Sequence, residues 1–406
     1  MKNNKNWRFT RNEIKYVKKV FETNFSASKS ATMNEILEKK FAKMHNQKYS
    51  ISANSGTSTL HMALDAVGVG HGSEVILPSL TVAMCGFAVW QCGATPVYCD
   101  VDKDTFLIDP TDIEKKITKK TKAIMVVHLY GLMCDMSNIL KISKKYKIPI
   151  IEDCAQCFLG TDNFGRIAGT VGDIASWSFE TTKHMTTGDG GIVTTNNAKF
   201  ATKMRKLNSA GYKNLSASGG KIRINRDKFQ NPNWVRHDTF AYNYRLSEIC
   251  AAVGVAQLEK LKYFVKLRNK MGISFLKVIK NSRTELLTPQ KTNPGYFHSY
   301  FTFASIFNGK KKGISWQLFR KKFIEFGGDG IYAAWKILSD EGPFKEAKKN
   351  GIISGGMKIS KSYGWGETIV ASHLQKNLMQ FTTNQKNKSE RTKQILALKK
   401  TLDYFN

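Results

Sequence analysis

Lys183 lies between an apolar strand and a glycine-rich turn, in Ser178-Phe179-Glu180-Thr181-Thr182-Lys183-His184-Met185-Thr186-Thr187-Gly188-Asp189-Gly190-Gly191. An amine placed there can form a Schiff base with an aldehyde, and its small neighbours let a ring and a phosphate come close. Once released, the neutral amine is also a base for moving a proton. Lysine is abundant in this chain, so residue type alone says little. What sets Lys183 apart is a setting too small and glycine-rich to be a solvated face.

Two upstream segments supply complementary groups. Asn54-Ser55-Gly56-Thr57-Ser58 precedes a helical pattern that carries Leu60, Ala63 and Leu64. Gly56 permits close backbone approach, and the exposed N–H groups at a helix start, including that of Thr57, attract phosphate. An ordinary Ser/Thr N-cap has the same appearance. Ser178 would add a hydroxyl to the same phosphate. Asp153 closes the run Ile148-Pro149-Ile150-Ile151-Glu152, which places it at the C-terminal end of a buried strand, where open α/β sheets bind ligands. Taken alone it reads equally well as a helix N-cap. With Gln156 and Lys183 it reads as the partner of a pyridine nitrogen, keeping that nitrogen protonated while Gln156 donates to a phenolate oxygen. Cys154-Ala155-Gln156-Cys157 has the redox C-x-x-C spacing but falls where ring contacts are expected, and is read as incidental. No metal site is expected.

The elements that must position these groups follow an alternating pattern. Strands are expected at Tyr49–Ala53, Glu74–Pro78, Thr95–Asp100, Ala123–His128, Pro149–Asp153, Ala175–Phe179 and Gly191–Thr195. Helices such as Thr57–Val67, Gly86–Gln91 and Met136–Tyr146 lie between several of them. Continuous apolar strands alternating with helices predict a mainly parallel sheet covered on both faces. Asn208–Asn233, polar and rich in glycine and asparagine, is expected to be a long loop. Ser247–Val278 reads as a bridging helix into a smaller C-terminal unit, with a strand-like run at Tyr300–Phe307 and helices at Trp316–Phe326 and Lys388–Tyr404. The expected division is an N-terminal arm (1–30), a large domain (31–255) and a small domain (256–406).

At 406 residues, 41% hydrophobic and 11% aromatic, the chain suits a soluble globular protein with a large core. It has no apolar run long enough to span a bilayer, and no secretory leader is recognisable at Met1-Lys2-Asn3-Asn4. Seven cysteines in apolar segments fit free thiols in a cytoplasmic protein. The formal charge of +31 raises nucleic acid as a partner. The lysines are dispersed through helices and loops, however, with no arm or aromatic-interleaved groove, so specific nucleic-acid binding is not expected. Attraction of an anionic substrate is the milder reading.

In the order phosphate loop, aspartate strand, serine–lysine strand, these segments resemble the DegT/DnrJ/EryC1/StrS family of sugar aminotransferases, which use pyridoxal phosphate (PLP). The resemblance is carried by Asn54–Ala63, Glu74–Asp100, His128-Leu129-Tyr130-Gly131, Glu152–Gln156 and Ser178–Gly191. Tyr242-Asn243-Tyr244-Arg245-Leu246-Ser247-Glu248, similar to the family's N-Y-R-x-[ST]-[ED] signature, adds a sixth block. It implies the aspartate-aminotransferase-like fold type I of PLP-dependent transferases: an α/β large domain with a mainly parallel sheet flanked by helices, plus a smaller C-terminal α+β domain. It also implies a homodimer in which Asn243 reaches the cofactor phosphate of the other subunit, with Arg245 less specific. The implied activity is amination of a nucleotide-linked keto-deoxysugar, a 4-keto-6-deoxyhexose first and a 3-keto sugar second, with glutamate as donor. The product would feed polysaccharide such as O-antigen.

Two departures stand out. Pro78-Ser79-Leu80-Thr81 is followed by Val82 where an aromatic lid over the ring is usual, and Gly327–Trp335 matches the family's substrate-side strand only loosely. Lysine at 183, instead of histidine, argues against the deoxygenating branch. A sugar dehydratase or a desulfurase on the same fold, and a non-catalytic basic regulator, are the alternatives; nothing in residues 1–48 resembles a DNA-reading module.

Overall fold

The computed structural model describes residues 7–25, 32–219, 226–353 and 368–406. Elements run α1 (Arg11–Glu22), α2 (Met33–Met44), β1 (Tyr49–Ala53), α3 (Gly56–Ala66), β2 (Glu74–Pro78), α4 (Ala83–Gln91), β3 (Thr95–Cys99), α5 (Pro110–Lys116), β4 (Thr121–Val127), α6 (Met136–Tyr146), β5 (Ile150–Asp153), β6 (Ile174–Ser178) and β7 (Gly191–Thr195). They continue with α7 (Ala198–Asn208), α8 (Arg226–Gln230), α9 (Glu248–Ser282), β8 (Leu287–Pro289), β9 (Thr302–Phe307), α10 (Trp316–Glu325), β10 (Ile331–Ala333), α11 (Gly342–Asn350), α12 (Ile369–Asn377), β11 (Leu378–Thr382) and α13 (Lys388–Phe405).

The first seven strands form one sheet in the order β1-β7-β6-β5-β4-β2-β3. Its β6-β5-β4-β2-β3 portion is parallel, and β7 is inserted antiparallel between β1 and β6. The mainly parallel expectation therefore holds, with one reversed strand. Strands β2, β3, β5, β6 and β7 are buried along their whole length because helices cover both faces. Since β1 runs the same way as β6, the ends of β1, β2, β4, β5 and β6 lie along one edge, and β7 begins there. Side chains carried just past those ends converge, while the helices packed on the two faces keep water away from the strands.

A second, antiparallel sheet has the order β10-β11-β9-β8. Its core is aromatic: Phe275, Phe303, Phe323 and Phe381 pack together beside Met271, Ile331 and Leu398. The 35-residue α9 joins the two cores, with Ala251, Val255, Leu261 and Val265 in the larger and Met271, Phe275 and Ile279 in the smaller. Helices α1 and α2 both pack on α9, each opened by a capping box (Thr10 with Glu13, Thr32 with Glu35).

Several boundaries differ from the sequence pattern. Helix α4 starts at Ala83, three residues before Gly86, because Val82 in extended backbone serves as its N-cap. Strand β9 starts at Thr302 and not at Tyr300, whose positive φ of 46° turns the chain before pairing begins. The stretch Asn208–Asn233 contains the short helix α8, and residues 220–225 lie outside the described residues.

Gly272 marks where α9 meets the loop before β9. A Cβ there would lie 2.4 Å from Cγ of Tyr300, whose ring is stacked on His298 at 3.6 Å and has little room to move. Gly272→Ala should lower stability by about 1–3 kcal/mol, seen as a lower urea midpoint at unchanged m-value. An unaltered midpoint would mean that the ring relocates freely.

Candidate active site

Asp153 is carried to the rim by β5. One carboxylate oxygen accepts from the Ala155 amide at 2.9 Å, the other from the Cys85 thiol at 3.3 Å. Burial pushes its carboxyl above the usual range, opposed by these donors and by Lys183. Cys85 sits in the first turn of α4, with its sulfur also 3.5 Å from Thr81 Oγ1. Nothing in the sequence signalled Cys85, since the contact spans 68 residues and depends on how α4 lies against β5.

The neighbouring Glu152 faces the other way and fixes the strand. Its oxygens accept from the amides of Gly169, Val171 and Gly172 and from His128 Nε2 at 2.8 Å. Burial works to raise its pKa, but His128 and those amides outweigh it and hold the carboxyl below its usual range. His128 Nδ1 accepts from the Cys134 amide at 3.0 Å, so the imidazole proton is on Nε2. Ligand atoms of His128, Glu152 and Cys154 lie within 4.8 Å of one another. All four lone-pair positions of Glu152 are already used by protein donors, so this is a knot tying β4 to β5 and not an ion site.

Lys183 follows β6 in a turn closed by its own amide donating to Glu180 O at 3.0 Å. Its Nζ stands 4.8 Å from the centre of the Phe301 ring. Burial, with Arg268 beside it, holds the amine below its usual pKa, while Asp153, Glu180 and Cys85 pull the other way. His184 turns into the core instead. It is fully buried, its Nε2 lies 3.1 Å from Ser299 O, and its ring packs on Phe158 and Phe301. Of the two adjacent residues, only Lys183 presents its functional group to Asp153.

The helix start leaves backbone donors open. Ser55 caps α3, its hydroxyl taking the Ser58 amide at 3.1 Å, and the amides of Gly56 and Thr57 have no hydrogen-bond partner among the described residues. A Cβ on Gly56 would lie 2.8 Å from Ser178 Cβ, so only glycine lets α3 sit this close to the end of β6. Gly56, Thr57 and Ser178 are thereby brought together. Gln156 is buried, and its Oε1 accepts from the Tyr130 amide at 2.9 Å, which leaves the Nε2 donors facing away.

Asn243 does not join this group within one chain. The Tyr242–Tyr244 segment lies alongside Asn208–Ala210, and Tyr244 O accepts from the Asn54 amide at 2.7 Å, next to the anion loop. Tyr242 and Tyr244 stack on each other 5.1 Å apart and against His61 of α3. Asn243, between them in extended chain, projects outward and is exposed, as is Arg245. Cys154 and Cys157 are free, buried thiols donating to the carbonyls of Glu152 and Gly131. Val82 is half-buried at the start of α4. Among the described residues, no helix is long and apolar enough to cross a membrane.

Comparison with known proteins shows the family and the fold. Residues 8–327 match the profile of the DegT/DnrJ/EryC1/StrS aminotransferase family. Over 292 residues, 72% of this chain and 74% of the relative, the sequence is 36% identical to GDP-perosamine synthase of Escherichia coli O157:H7. The aminotransferase from Psychrobacter cryohalolentis superposes with a TM-score of 0.84 at 26% identity, covering 98% of both chains. NtdA from Bacillus subtilis, solved with bound cofactor PMP, has the same fold, with a TM-score of 0.77 at 22% identity over 98% of this chain and 83% of that one.

Because the Cys85 thiol lowers the pKa of Asp153, Cys85→Val should raise it further. The protonated-carboxyl infrared band of Asp153, assigned by its loss in Asp153→Asn, should then persist to higher pH. An unshifted band would mean that the thiol does not reach the carboxylate.

Proposed function

Because the chain belongs to the DegT/DnrJ/EryC1/StrS aminotransferase family, we propose that it moves an amino group from an amino acid, glutamate in the first instance, to the keto group of a nucleotide-linked keto-deoxysugar. The sugar is a 4-keto-6-deoxyhexose on this reading, which the similarity to a GDP-perosamine synthase supports. The observation that carries it is the meeting of the half-buried Lys183, its amine partly desolvated, with a buried carboxylate, Asp153, beside a helix start that only a glycine can form.

These residues fit PLP. Gly56, Thr57 and Ser178 would offer amides and a hydroxyl to its phosphate, Gln156 a free amide donor to its ring oxygen, and Asp153 a carboxylate to its ring nitrogen. When bound, PLP supplies an aldehyde that exchanges with amines and a ring that withdraws electrons. The chain's own groups do the rest. Asp153 would hold a proton on the ring nitrogen, a task suited to a carboxyl whose pKa is raised yet which stays coupled to Lys183. Lys183, with its amine pKa lowered, would serve as nucleophile towards the aldehyde and, once released, as a base. Val82 packs an aliphatic side chain where ring stacking would be aromatic. The high positive charge favours arrival of a diphosphate-bearing sugar.

The second part of the proposal is that the site is shared in a homodimer. It is supported by Asn243, which is exposed, and so open to a neighbouring chain, on a segment bonded to Asn54 ahead of its own chain's α3.

Borohydride treatment of the purified protein with PLP should fix the cofactor covalently on the peptide containing Lys183 and abolish the visible band. A tag on another lysine would remove Lys183 from its role. Asp153→Asn should keep the fold and lose at least about a hundredfold in turnover; near wild-type activity would make Asp153 a structural cap.

For the shared site, mixing inactive Lys183→Ala with inactive Asn243→Ala should restore part of the activity through hybrid dimers. Hybrids that form but remain inactive would confine each site to a single chain.

A further inference from the structure

Two arginines from distant parts of the chain close on the turn that bears Lys183. Arg8, ahead of α1, donates to the carbonyls of Thr181 (2.7 Å), Lys183 (2.6 Å) and His184 (3.3 Å). Arg268, on α9, donates to Thr182 O (2.9 Å), Phe301 O (2.6 Å) and Thr383 Oγ1 (3.2 Å). Four consecutive carbonyls, 181 to 184, are thus each held by a guanidinium. Arg268 is buried, its acceptors are neutral oxygens, and it forms no ion pair among the described residues. Its guanidinium carbon lies 5.5 Å from the centre of the Phe301 ring, the same ring over which Lys183 Nζ stands at 4.8 Å.

A buried cation without a counterion is costly, and a structural carbonyl clamp does not require one. Only arginine offers a fork of donors wide enough to reach Thr182 and Phe301 together while remaining charged. We propose that Arg268 is a positioning residue for the transamination: with Arg8 it fixes the 181–184 turn so that the Lys183 amine faces Asp153, and it supplies an unneutralised positive charge beside that amine. The groups facing Lys183 are Asp153 from β5, Cys85 from α4, Glu180 from its own turn and Arg268 from α9, with Arg8 and His184 behind the turn. After burial, Arg268 is the main group that favours the neutral amine, against Asp153, Glu180 and Cys85. Neutral amine is the form that attacks a carbonyl or accepts a proton. Arg268 itself keeps its proton at neutral pH, burial lowering its pKa to about 9.

The inference rests on the reading of Lys183 as the lysine that takes the cofactor, but its test does not. Full-length protein stripped of cofactor with hydroxylamine is labelled with acetic anhydride across pH, and the labelling midpoint of Lys183 is read by mass spectrometry beside that of exposed Lys266. In Arg268→Gln the Lys183 midpoint should move to higher pH while that of Lys266 stays put. An unmoved Lys183 midpoint overturns the electrostatic role.

Arg268→Lys keeps the charge and loses the fork. Its midpoint should stay near the wild-type value, while amides 182–185 exchange with deuterium about tenfold faster, as expected for loss of one charged hydrogen bond. Unchanged exchange overturns the clamp, and a Lys183 midpoint that moves to higher pH although the charge is kept overturns the electrostatic role, so this variant tests both even if Arg268→Gln does not fold. A borohydride tag on a lysine other than Lys183 would overturn the cofactor assignment alone and leave both of these readings intact.

Discussion

Burial drives Asp153 and Lys183 towards neutrality from opposite sides, and their mutual attraction opposes it. The rest of the structure serves that tension. It requires both groups to be taken out of water, which the helix-covered sheet does by delivering them at the ends of adjacent strands. It also requires each to be held, since a carboxylate or an ammonium free to swing would find solvent. Asp153 is held by the Ala155 amide and the Cys85 thiol, and its strand by the Glu152–His128 knot. Lys183 is held through its backbone, leaving the amine free to react.

Backbone anchoring explains why the lysine's turn looks undistinguished in sequence. Thr181-Thr182-Lys183-His184 has no pattern of its own, and its order comes from Arg8 and Arg268 at sequence separations of 175 and 86 residues. Asp153, Gly56 and Ser178 were legible because their signal is local: an apolar run ending in an acid, a glycine after a serine at a helix start, a serine at a strand end. Lys183 was legible for the same reason, from the strand before it and the glycines after it. Cys85, Arg8, Arg268 and Phe301 were not, because each acts across a tertiary contact, and a buried arginine in α9 looks from its neighbours like one more basic position on a lysine-rich helix.

The same distinction holds for the fold. The apolar strands Glu74–Pro78 and Gly191–Thr195 could be placed to the residue, since full burial on both faces leaves a continuous apolar signature. The short strands β8, β10 and β11 left none. Each is three to five residues long, and β10 lies at an edge of the small sheet with Tyr332 and Ala333 exposed. Tyr300 misled the boundary of β9 because its positive φ is imposed from outside: its amide donates to His298 Nδ1 and its ring is caught between His298 and Gly272.

The segment that follows the loosely matching Gly327–Trp335 connects back to the same pair. Leu338 donates from its amide to Ser79 O at 2.9 Å, just ahead of Val82. Phe344 fills the space over Gly86, where a Cβ would lie 2.4 Å from its ring, and it packs on Phe87 and Trp90 at 5.2 and 4.2 Å. Helix α4 is therefore pressed from outside by residues 338–347 while its inner turn presents Val82 and Cys85 to the site. Interior packing transmits such pressure because it leaves no slack for a helix to shift alone. A change of residue around Phe344 would then be felt by the thiol that binds Asp153, so a segment beyond the residues that match the family profile is mechanically coupled to that carboxylate.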